Sequence, residues 1–585
     1  MLAKKWVLKP EVDVALLQKL FLEVKNIHPK IAELLLQKQL EEYNAIHDFF
    51  NPDVTLLHDP FLMKDMQKAV DRLTLAIKNG EHILIYGDYD VDGTTSVSLV
   101  YSFLKKFTDS IDYYIPDRIT EGYGISFQSI DYASDNEISL VIALDCGIKA
   151  NEKIEYANTK NVDFIICDHH NPGEELPAAV AILDPKRKDC EYPFKELCGC
   201  GVGFKLMQAY SMANEIPTEN IFEYIDFLAI AIASDIVPIV GENRIFTYHG
   251  LKLINTRQRI GIQAILELSN FTKQLNVSDL VFILAPRINA AGRLASGNKA
   301  VELLIADNLE SAFMAGRNID TSNKQRKLLD KNITKHALSI IEESEGIEAK
   351  TTVVFNPEWH KGVIGIVASR LIETYYRPTI VFTESEGKLT GSARSVAGYD
   401  VYTAIDSCSE YLEQFGGHKY AAGLTLKLEN LELFKDKFEK IVSETIPDEL
   451  LIPCIHIDAE INFSDIFSSS DLDKIILGNE IFPQFYKQLR RFNPFGPSNM
   501  NPVFMATNCI AKEITLLSEN EHLRFRVYQP SDEKLILNAI AFKQAPSLQI
   551  IDQSKPFSML FVIEENQWRE NINLQLRVLD IRAFE

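Results

Sequence analysis

Four short and almost continuous apolar runs lie in the first third of the chain and limit the folds open to it. They are His82–Tyr86, Leu140–Leu144, Phe164–Cys167 and Val180–Leu183. Such runs are typical of strands buried on both faces of a parallel sheet. Between the first two, Ser96–Phe107 places its apolar residues on one stripe at helical spacing. The alternation predicts an open α/β domain over residues 66–270.

A chain of 585 residues is far longer than one typical domain, so we expect further domains outside residues 66–270. Residues 1–65 have Leu and Ile at helical spacing and predict an N-terminal helical segment. Residues 271–346 predict a linker that contains a long connecting helix. That helix is expected over Arg317–Glu345, which is polar and contains neither Gly nor Pro.

The C-terminal half predicts two more domains and completes an α/β multidomain architecture. Residues 347–447 are expected to form a second α/β domain, and residues 448–585 a small OB-like β-barrel built from short alternating strands. The strands that support these two predictions are Thr351–Phe355, Thr379–Phe382, His522–Tyr528 and Leu574–Asp580.

The overall charge and the cysteines restrict the class of protein. A net charge of −22 argues against a protein that coats itself in nucleic acid, although it permits a local basic groove. The eight cysteines contain no CxxC pair and are expected to be reduced thiols. No apolar run has the length of a membrane span, and the first residues do not resemble a signal peptide. We therefore expect a cytoplasmic protein.

Acidic and imidazole side chains follow the predicted strands of the first domain. The first strand is followed by Asp88, Asp90 and Asp92, the second by Asp145, and the third by Asp168-His169-His170. Another aspartate, Asp235, ends the apolar helix at Phe227–Ala233. Because the carboxyl ends of parallel strands share one edge of the sheet, we expect these groups to meet there.

Such a crowd of carboxylates favours a metal centre. Each anion raises the pKa of its neighbours, and divalent cations relieve the repulsion. Mixed Asp and His ligands indicate Mn²⁺ or Mg²⁺, with imidazole favouring manganese. About six ligands are enough for two ions about 3.5–4 Å apart, with one bridging carboxylate, which is an arrangement used in phosphoryl hydrolysis.

Three other structures could explain these residues. Any single Asp after a strand is more often a helix N-cap than a ligand. The Asp-x-Asp-x-Asp spacing is also found in EF-hand loops, but position twelve is Leu99 instead of Glu. A dinucleotide fold is disfavoured, because the first turn is GDYDVDG instead of G-x-G-x-x-G and its carboxylates would repel a pyrophosphate.

Several long motifs together resemble the DHH phosphoesterase superfamily. They are GDYDVDGTTS, ALDCGI, CDHHNPG and ASDIVP, with GSARS and FGGHKYAAG resembling the associated DHHA1 domain. RINAAGR, WHKGVIGIVASR and FNPFGPSNMNPVF narrow the resemblance to a branch of bacterial exonucleases specific for single-stranded DNA. Residues 66–270 would then be the DHH catalytic domain, residues 347–447 the DHHA1 domain, and residues 448–585 a nucleic-acid-binding domain.

The resemblance implies a two-metal exonuclease that degrades single-stranded DNA from the 5′ end to 5′-mononucleotides in DNA repair and recombination. Asp145 matches a catalytic, bridging ligand, and His170 a group that contacts the scissile phosphate. Other branches carry a histidine where this chain has Tyr86, so Asp88 is expected to replace it as a ligand. The residues that match metal-binding positions are Asp88, Asp90, Asp92, Asp145, His169 and Asp235.

Candidate phosphate and DNA contacts lie later in the chain. Small residues around Arg287, Asn289 and Arg293 would allow close approach of the backbone to a phosphate. Two further candidates, Arg370 and Arg394, suit bidentate phosphate contacts, and a surface ion pair is the alternative for each arginine. A terminal 5′-phosphate would suit Gly416, Gly417 and His418, unless the glycines form only a turn. For Phe495, stacking on a base and packing in a core are equally compatible with the sequence.

Selectivity for single-stranded over duplex DNA is expected to come from a channel between the two α/β domains. Any basic lining would be confined to this channel. The resemblance also implies a RecQ-type helicase and a single-strand-binding protein as partners, and a monomeric state. Two other functions stay open: a DHH enzyme for small substrates such as cyclic dinucleotides, and a non-catalytic scaffold. The length after residue 450 disfavours the first, and the full set of ligand positions disfavours the second.

Overall fold

The computed structural model describes residues 3–118, 120–294, 296–343, 349–467, 482–518, 521–552, 555–568 and 571–584. They form two compact units. One contains residues 1–52, 452–495 and 500–585, and the other contains residues 53–451 and 496–499. Among the described residues, no helix is long and apolar enough to cross a membrane.

The N-terminal region contains one strand and three helices. They are β1 (Lys5–Leu8), α1 (Val14–Glu23), α2 (Pro29–Gln37) and α3 (Tyr43–Phe50). Only helices were predicted here, and the strand was missed because four residues are too few to show an alternating pattern. Strand β1 pairs in parallel with β12 (Cys454–Ile457). The buried residues of α2 pack in the same hydrophobic cluster as the C-terminal barrel.

The first α/β domain is built on a five-stranded parallel sheet of order β3-β2-β4-β5-β6. Its strands β2, β4, β5 and β6 are the four predicted apolar runs. The edge strand β3 was missed, because its four residues, IDYY, include a charged side chain and do not form a continuous apolar run. The elements are α4 (Met66–Asn79), β2 (His82–Gly87), α5 (Val91–Leu104), β3 (Ile111–Tyr114), α6 (Phe127–Asp135), β4 (Ile138–Leu144), α7 (Asn151–Thr159), β5 (Asp163–Cys167), β6 (Ala181–Leu183), α8 (Gly199–Ala213), α9 (Glu219–Phe222), α10 (Ile225–Ser234), α11 (Gly241–Thr256) and α12 (Ile260–Leu268).

Helices connect this domain to the second sheet. They are α13 (Val277–Asp279), a π-helical turn (Leu280–Leu284), α14 (Ala285–Leu294), α15 (Asn298–Leu304) and α16 (Leu309–Glu343). Helix α16 begins eight residues before the predicted Arg317, because Gly316 does not end it. A Cβ at Gly316 would lie 3.0 Å from Leu268 Cδ1, so this glycine permits close packing against α12. Residues 344 and 345, also predicted as helix, lie outside the described residues.

The second α/β domain has a mixed five-stranded sheet of order β10-β11-β9-β8-β7, in which only β7 and β8 are parallel. Both predicted strands are present. The elements are β7 (Thr352–Phe355), α17 (Ile364–Tyr375), β8 (Thr379–Ser385), β9 (Lys388–Arg394), α18 (Val401–Asp406), β10 (Leu412–His418), β11 (Ala421–Leu426) and α19 (Leu431–Thr445).

The C-terminal strands form a closed barrel, which confirms the OB-type prediction. Pairing runs β14-β15-β16-β18-β17 and returns from β17 to β14. The elements are β12 (Cys454–Ile457), β13 (Ala459–Glu460), α20 (Phe463–Ile466), α21 (Gln484–Arg490), β14 (Phe504–Leu517), β15 (His522–Gln529), β16 (Asp532–Ala541), α22 (Leu548–Ile551), β17 (Phe557–Trp568) and β18 (Asn571–Ala583). The predicted limits of the five domains stay predictions.

Candidate metal centre and phosphate site

The predicted acidic groups meet at the carboxyl edge of the parallel sheet. Strands β2, β4 and β5 are neighbours, and Asp88, Asp145 and Asp168 are the first residues after them. The backbone N–H of Asp145 donates to the carbonyl of Cys167 at 2.9 Å, which extends the ladder to the edge. The order of the strands therefore brings residues that are far apart in the sequence to one place.

His169 lies at the centre of this cluster. Its Nε2 is 3.1 Å from Asp145 Oδ1, 3.6 Å from Asp235 Oδ2 and 3.8 Å from Asp92 Oδ2. Two overlapping groups of three side chains place their ligand atoms within 4.8 Å of one another. One group is Asp145, His169 and His170, and the other is Asp92, His169 and Asp235. These five side chains are called the metal cluster below.

The N-terminus of helix α8 holds Asp92 by hydrogen bonds and packs closely against Asp145. The backbone amides of Gly199 and Cys200 donate to the two oxygens of Asp92 at 2.6 and 2.8 Å. A helix N-terminus favours negative charge, so Asp92 is both oriented and stabilised. A Cβ at Gly199 would lie 2.5 Å from Asp145 Cβ, so only glycine fits beside this aspartate. Gly199 was not predicted, because CGCGVG has no recognised spacing.

Burial and mutual repulsion shift the pKa values of this cluster. Burial, followed by the charge of Asp90, raises the pKa of Asp92 to about 7. Burial and the charge of Asp92 raise the pKa of Asp235 to about 8. Burial and the same neighbour hold the pKa of Asp145 well above its usual range. If all of these carboxylates were ionised, the protein alone could not neutralise their charge.

Unused ligand atoms in the metal cluster and in the neighbouring Asp88 fit a divalent cation. Asp88 Oδ1, Asp145 Oδ1 and His169 Nε2 are buried and have no hydrogen bond among the described residues. Buried polar atoms are normally paired, so such atoms together need a partner. Burial, and then the charge of His170, lower the pKa of His169 to about 3, which keeps the imidazole neutral as ligation requires. Oxygen and imidazole donors suit Mn²⁺ and similar ions.

Asp88 and Asp90 stand beside the metal cluster. Neither belongs to the two groups of three among the described residues. Asp90 caps helix α5, because its Oδ1 accepts from the Gly93 amide at 3.0 Å. Asp88 is 1% exposed, and burial with the charge of Asp90 raises its pKa well above normal. Tyr86, at the position where related branches carry histidine, instead donates its hydroxyl to the carbonyl of Gly124 at 2.7 Å.

His170, a member of the metal cluster, is paired with Asp168. His170 Nδ1 is 2.7 Å from Asp168 Oδ1, and the same oxygen accepts from the amides of both histidines. Burial favours neutral His170, but the hydrogen bond that its Nδ1 donates to Asp168 outweighs burial and raises the pKa of His170 to about 9. The ring is thus oriented and protonated at neutral pH, with Nε2 3.4 Å from the Tyr123 hydroxyl. Tyr123 was not predicted.

Four arginines form a second cluster, called the arginine cluster below. Two of them, Arg293 and Arg394, were predicted, whereas Arg118 and Arg326 were not, because no sequence spacing connects them. Burial and the charges of Arg118, Arg326 and Arg394 lower the pKa of Arg293 to about 10. Like charges repel one another and a bound anion relieves that repulsion, so this cluster suits a phosphate.

Aromatic contacts connect the arginine cluster to the metal cluster. The Arg118 guanidinium carbon lies 4.9 Å from the centre of the Tyr89 ring. Tyr89 contacts Tyr123 edge to face at 6.5 Å, and Tyr123 contacts His170 in the same way at 6.1 Å. In addition, a Cβ at Gly292 would lie 2.3 Å from the carbonyl oxygen of Tyr89, so RINAAGR packs directly on the first acidic loop.

The other predicted arginines are engaged in ion pairs. Arg370 makes a two-armed contact with Asp330 at 2.7–2.9 Å. Arg287 is 3.2 Å from Asp320. The ion-pair alternative therefore describes the present contacts of both residues. Asn289 is half-buried on α14.

The predicted glycine-histidine segment lies at the end of β10 and faces the metal cluster. The rings of His418 and His170 are nearly parallel, at 13°, with centres 6.5 Å apart. Nothing lies within 4 Å of a Cβ built at Gly416, whereas one at Gly417, with φ +150°, would lie 2.4 Å from the carbonyl oxygen of Ala421. Phe495 is half-buried against the core of the barrel unit. Its contact with a base stays a prediction.

Three family models match parts of the chain. The DHH family, N-terminal domain, matches residues 82–232, the DHHA1 domain residues 348–444, and the RecJ OB domain residues 472–580. They cover both α/β domains and the barrel.

Two bacterial relatives are similar over most of their length. The single-stranded-DNA-specific exonuclease RecJ of Bacillus subtilis is 33% identical over 96% of this chain and 69% of its own length. The protein of the same name from Escherichia coli is 32% identical over 89% of this chain and 90% of its own length.

Solved structures show the same fold. RecJ of Thermus thermophilus in complex with Mn²⁺ matches 99% of this chain and 80% of its own with a TM-score of 0.82, at 24% identity. An exonuclease RecJ bound to manganese matches 68% of this chain and 98% of its own, with a TM-score of 0.58 and 30% identity.

Replacing Gly199 with Ala should weaken metal binding. The added carbon would displace Asp145 from His169, so we expect Mn²⁺ affinity to fall by about 10–100-fold in isothermal titration calorimetry. Gly173→Ala is the control, since its Cβ would meet nothing nearer than 3.4 Å. Equal Mn²⁺ affinity of the two variants would contradict the role assigned to Gly199.

The metal-free protein should lose stability between pH 6.5 and 8. Asp92 and Asp235 have folded pKa values of about 7 and about 8, against 3.8 when unfolded, so the folded chain binds more protons in this window. The free energy of unfolding therefore falls as the pH rises. His170, whose pKa rises from 6.5 to about 9, adds to this fall in the same window, whereas His169, whose pKa is lowered, opposes it below its unfolded value of 6.5.

Calorimetric melting with EDTA would measure this effect. We expect the Tm to fall by about 2–4 °C across the window, and by less in Asp235→Asn. Mn²⁺ should raise the Tm more at pH 8 than at pH 6.5. If the Tm of the metal-free protein rose from pH 6.5 to pH 8, this would contradict the raised pKa values of Asp92 and Asp235.

Proposed function

Because the chain belongs to the RecJ family of single-stranded-DNA-specific exonucleases, we propose that it hydrolyses single-stranded DNA with divalent metal ions, starting at the 5′ end and releasing 5′-mononucleotides. The observation that carries the proposal is the metal cluster with its unused buried ligand atoms. Repair and recombination are the processes in which such an activity would act.

The metal-binding residues are proposed to be Asp88, Asp90, Asp92, Asp145, His169 and Asp235. They would hold two Mn²⁺ or Mg²⁺ ions, and the resemblance implies that Asp145, whose buried Oδ1 has no hydrogen bond, would be the ligand shared by both. Bound ions supply Lewis acidity and lower the pKa of water to the range of a nucleophile. Helix α8 and Gly199 keep the carboxylates in place, so little reorganisation is needed during the reaction.

His170 is proposed to contact the scissile phosphate. Its Nδ1 is held by Asp168, which leaves Nε2 to donate a hydrogen bond to a phosphate oxygen. A protonated imidazole stabilises the negative charge that develops in the transition state. Tyr123 and His418 flank this ring and restrict its orientation.

The terminal 5′-phosphate was predicted to bind Gly416, Gly417 and His418, but His418 lies beside His170. The arginine cluster is proposed to bind this phosphate instead and thereby to set the polarity. Its members come from the first α/β domain, helix α14, helix α16 and strand β9, so a strand end would be held where these elements meet. The proposal is supported by the aromatic contacts through Tyr89 and Tyr123, which connect the arginine cluster to the metal cluster. A strand entering by its 5′ end would then present its first phosphodiester bond to the metals.

The barrel is proposed to bind the single strand beyond the cleavage site, as OB folds do. This favours long substrates over cyclic dinucleotides or other small diesters. A basic lining limited to the channel would reconcile DNA binding with the net charge of −22. A RecQ-type helicase and a single-strand-binding protein are proposed as partners of a monomeric enzyme.

A nuclease assay on the full chain tests the proposal. With Mn²⁺, single-stranded DNA labelled at the 5′ end should release labelled mononucleotide rapidly, whereas duplex DNA should resist. RNA and 3′-labelled DNA serve as comparisons. EDTA and Asp145→Asn should each abolish the reaction. Cleavage limited to very short oligonucleotides or cyclic dinucleotides would instead support the small-substrate function.

Arg394→Gln tests the 5′-phosphate site. Loss of one charged phosphate contact should lower kcat/KM for 5′-phosphorylated DNA by about 10–100-fold, and should affect 5′-hydroxyl DNA much less. Lys388→Gln is the matched control, because it removes one positive charge from the other end of the same strand, where Lys388 pairs with Glu413. An equal loss on both DNA substrates would contradict the assignment.

A further inference from the structure

Ile236 has an unusual backbone conformation directly beside the metal cluster. Helix α10 ends at Ser234, Asp235 is its C-cap, and Ile236 follows with φ +61°. Among the described residues, it is the only β-branched residue with positive φ. Helices commonly end with a residue in this conformation, but that residue is usually Gly and sometimes Asn.

This conformation is unfavourable for isoleucine. In the left-handed region, Cβ comes too close to backbone oxygen, and a second branch at Cβ makes the crowding worse. Glycine at this position would have no such strain. Strained residues persist where the surrounding structure holds them, and they cluster at functional sites.

Packing of the Ile236 side chain does not offset the strain. The side chain is 68% exposed, whereas its neighbours Ala233, Val237 and Ile239 are at most 8% exposed. The backbone around it is fixed from both sides, by the buried helix α10 and by the amide of Ile239, which donates to the carbonyl of Pro497 at 2.8 Å. The fold therefore imposes the conformation, and stability does not explain the choice of isoleucine.

The position of Ile236 beside the metal cluster offers an explanation for an exposed isoleucine in this strained conformation. It adjoins Asp235, whose Oδ2 lies 3.6 Å from His169 Nε2. Adjacent Cα atoms are only about 3.8 Å apart, so an exposed apolar side chain begins at the edge of a strongly polar centre. Phosphates would be bound there by charge, whereas sugars and base faces need an apolar surface.

We propose that Ile236 is a substrate-contacting residue, whose side chain packs against the sugar or base face of the nucleotide at the scissile phosphate. The proposal rests on the proposed function. An aliphatic contact of this kind contributes affinity without reading the base, because every nucleotide offers a sugar and a flat ring face. It would help to position the strand while the metal cluster and His170 act on the phosphate.

Ile236→Gly tests this in the full chain, because glycine keeps the backbone conformation and removes only the side chain. We expect an equal or higher Tm and unchanged Mn²⁺ affinity. The KM for single-stranded DNA should rise by roughly five- to tenfold with little change in kcat, as expected for a lost apolar contact. Ile236→Leu should recover most of the affinity.

Glu386→Gly is the matched control. Glu386 is exposed, has φ +55° and lies in the turn between β8 and β9. Its replacement by glycine therefore relieves a similar backbone conformation at a place away from the metal cluster. Its KM should equal that of the wild type. An unchanged KM in Ile236→Gly would overturn the proposal, and so would a lowered Tm or a loss of Mn²⁺ affinity, since either would make Ile236 structural.

Equilibrium binding separates this proposal from the proposed function. Fluorescence anisotropy with labelled single-stranded DNA in Ca²⁺ should show the same five- to tenfold difference between Ile236→Gly and wild type. If the wild type bound DNA but did not cleave it, the proposed function would be wrong. The binding comparison would still test the role of Ile236. If the variants bound DNA equally, only the role of Ile236 would fail.

Discussion

The repulsion among buried carboxylates at the end of the parallel sheet is the constraint on which the other features of the site depend. Asp88, Asp92 and Asp145 are each at most 3% exposed, and Asp235 lies beside them. Burial and proximity raise all four pKa values, so without a cation the cluster must hold protons. A bound divalent metal replaces those protons and converts an unfavourable arrangement into a reactive one.

The rest of the catalytic unit keeps this arrangement in place. Parallel pairing of β2, β4 and β5 brings the acidic loops to one edge, and helix α8 directs its N-terminal amides at Asp92. Gly199 allows that helix to approach Asp145. The second α/β domain adds His418, whose ring lies beside that of His170, and Arg394, which belongs to the arginine cluster. The rings of Tyr89 and Tyr123 connect the arginine cluster to the metal cluster.

Sequence patterns predicted the parts of this site that depend on local order. Apolar runs followed by acids indicated both the sheet and its functional edge, because strand direction alone determines where those acids lie. Contacts between residues that are far apart in the sequence were harder to predict. Arg118 and Arg326 join Arg293 and Arg394 only in three dimensions, and Arg287 and Arg370 looked equivalent to them until their partners Asp320 and Asp330 were seen. The αL conformation of Ile236 has no signature in the sequence.

Proton release on metal binding tests the central claim most directly. Mn²⁺ would be titrated into the metal-free protein at pH 7.5 by isothermal titration calorimetry, in two buffers of different ionisation enthalpy. If the carboxylates hold protons until the metal displaces them, the apparent enthalpy will differ between the buffers, with about one or more protons released per chain. Asp235→Asn should release fewer. Identical enthalpies in both buffers, together with tight binding, would contradict the account.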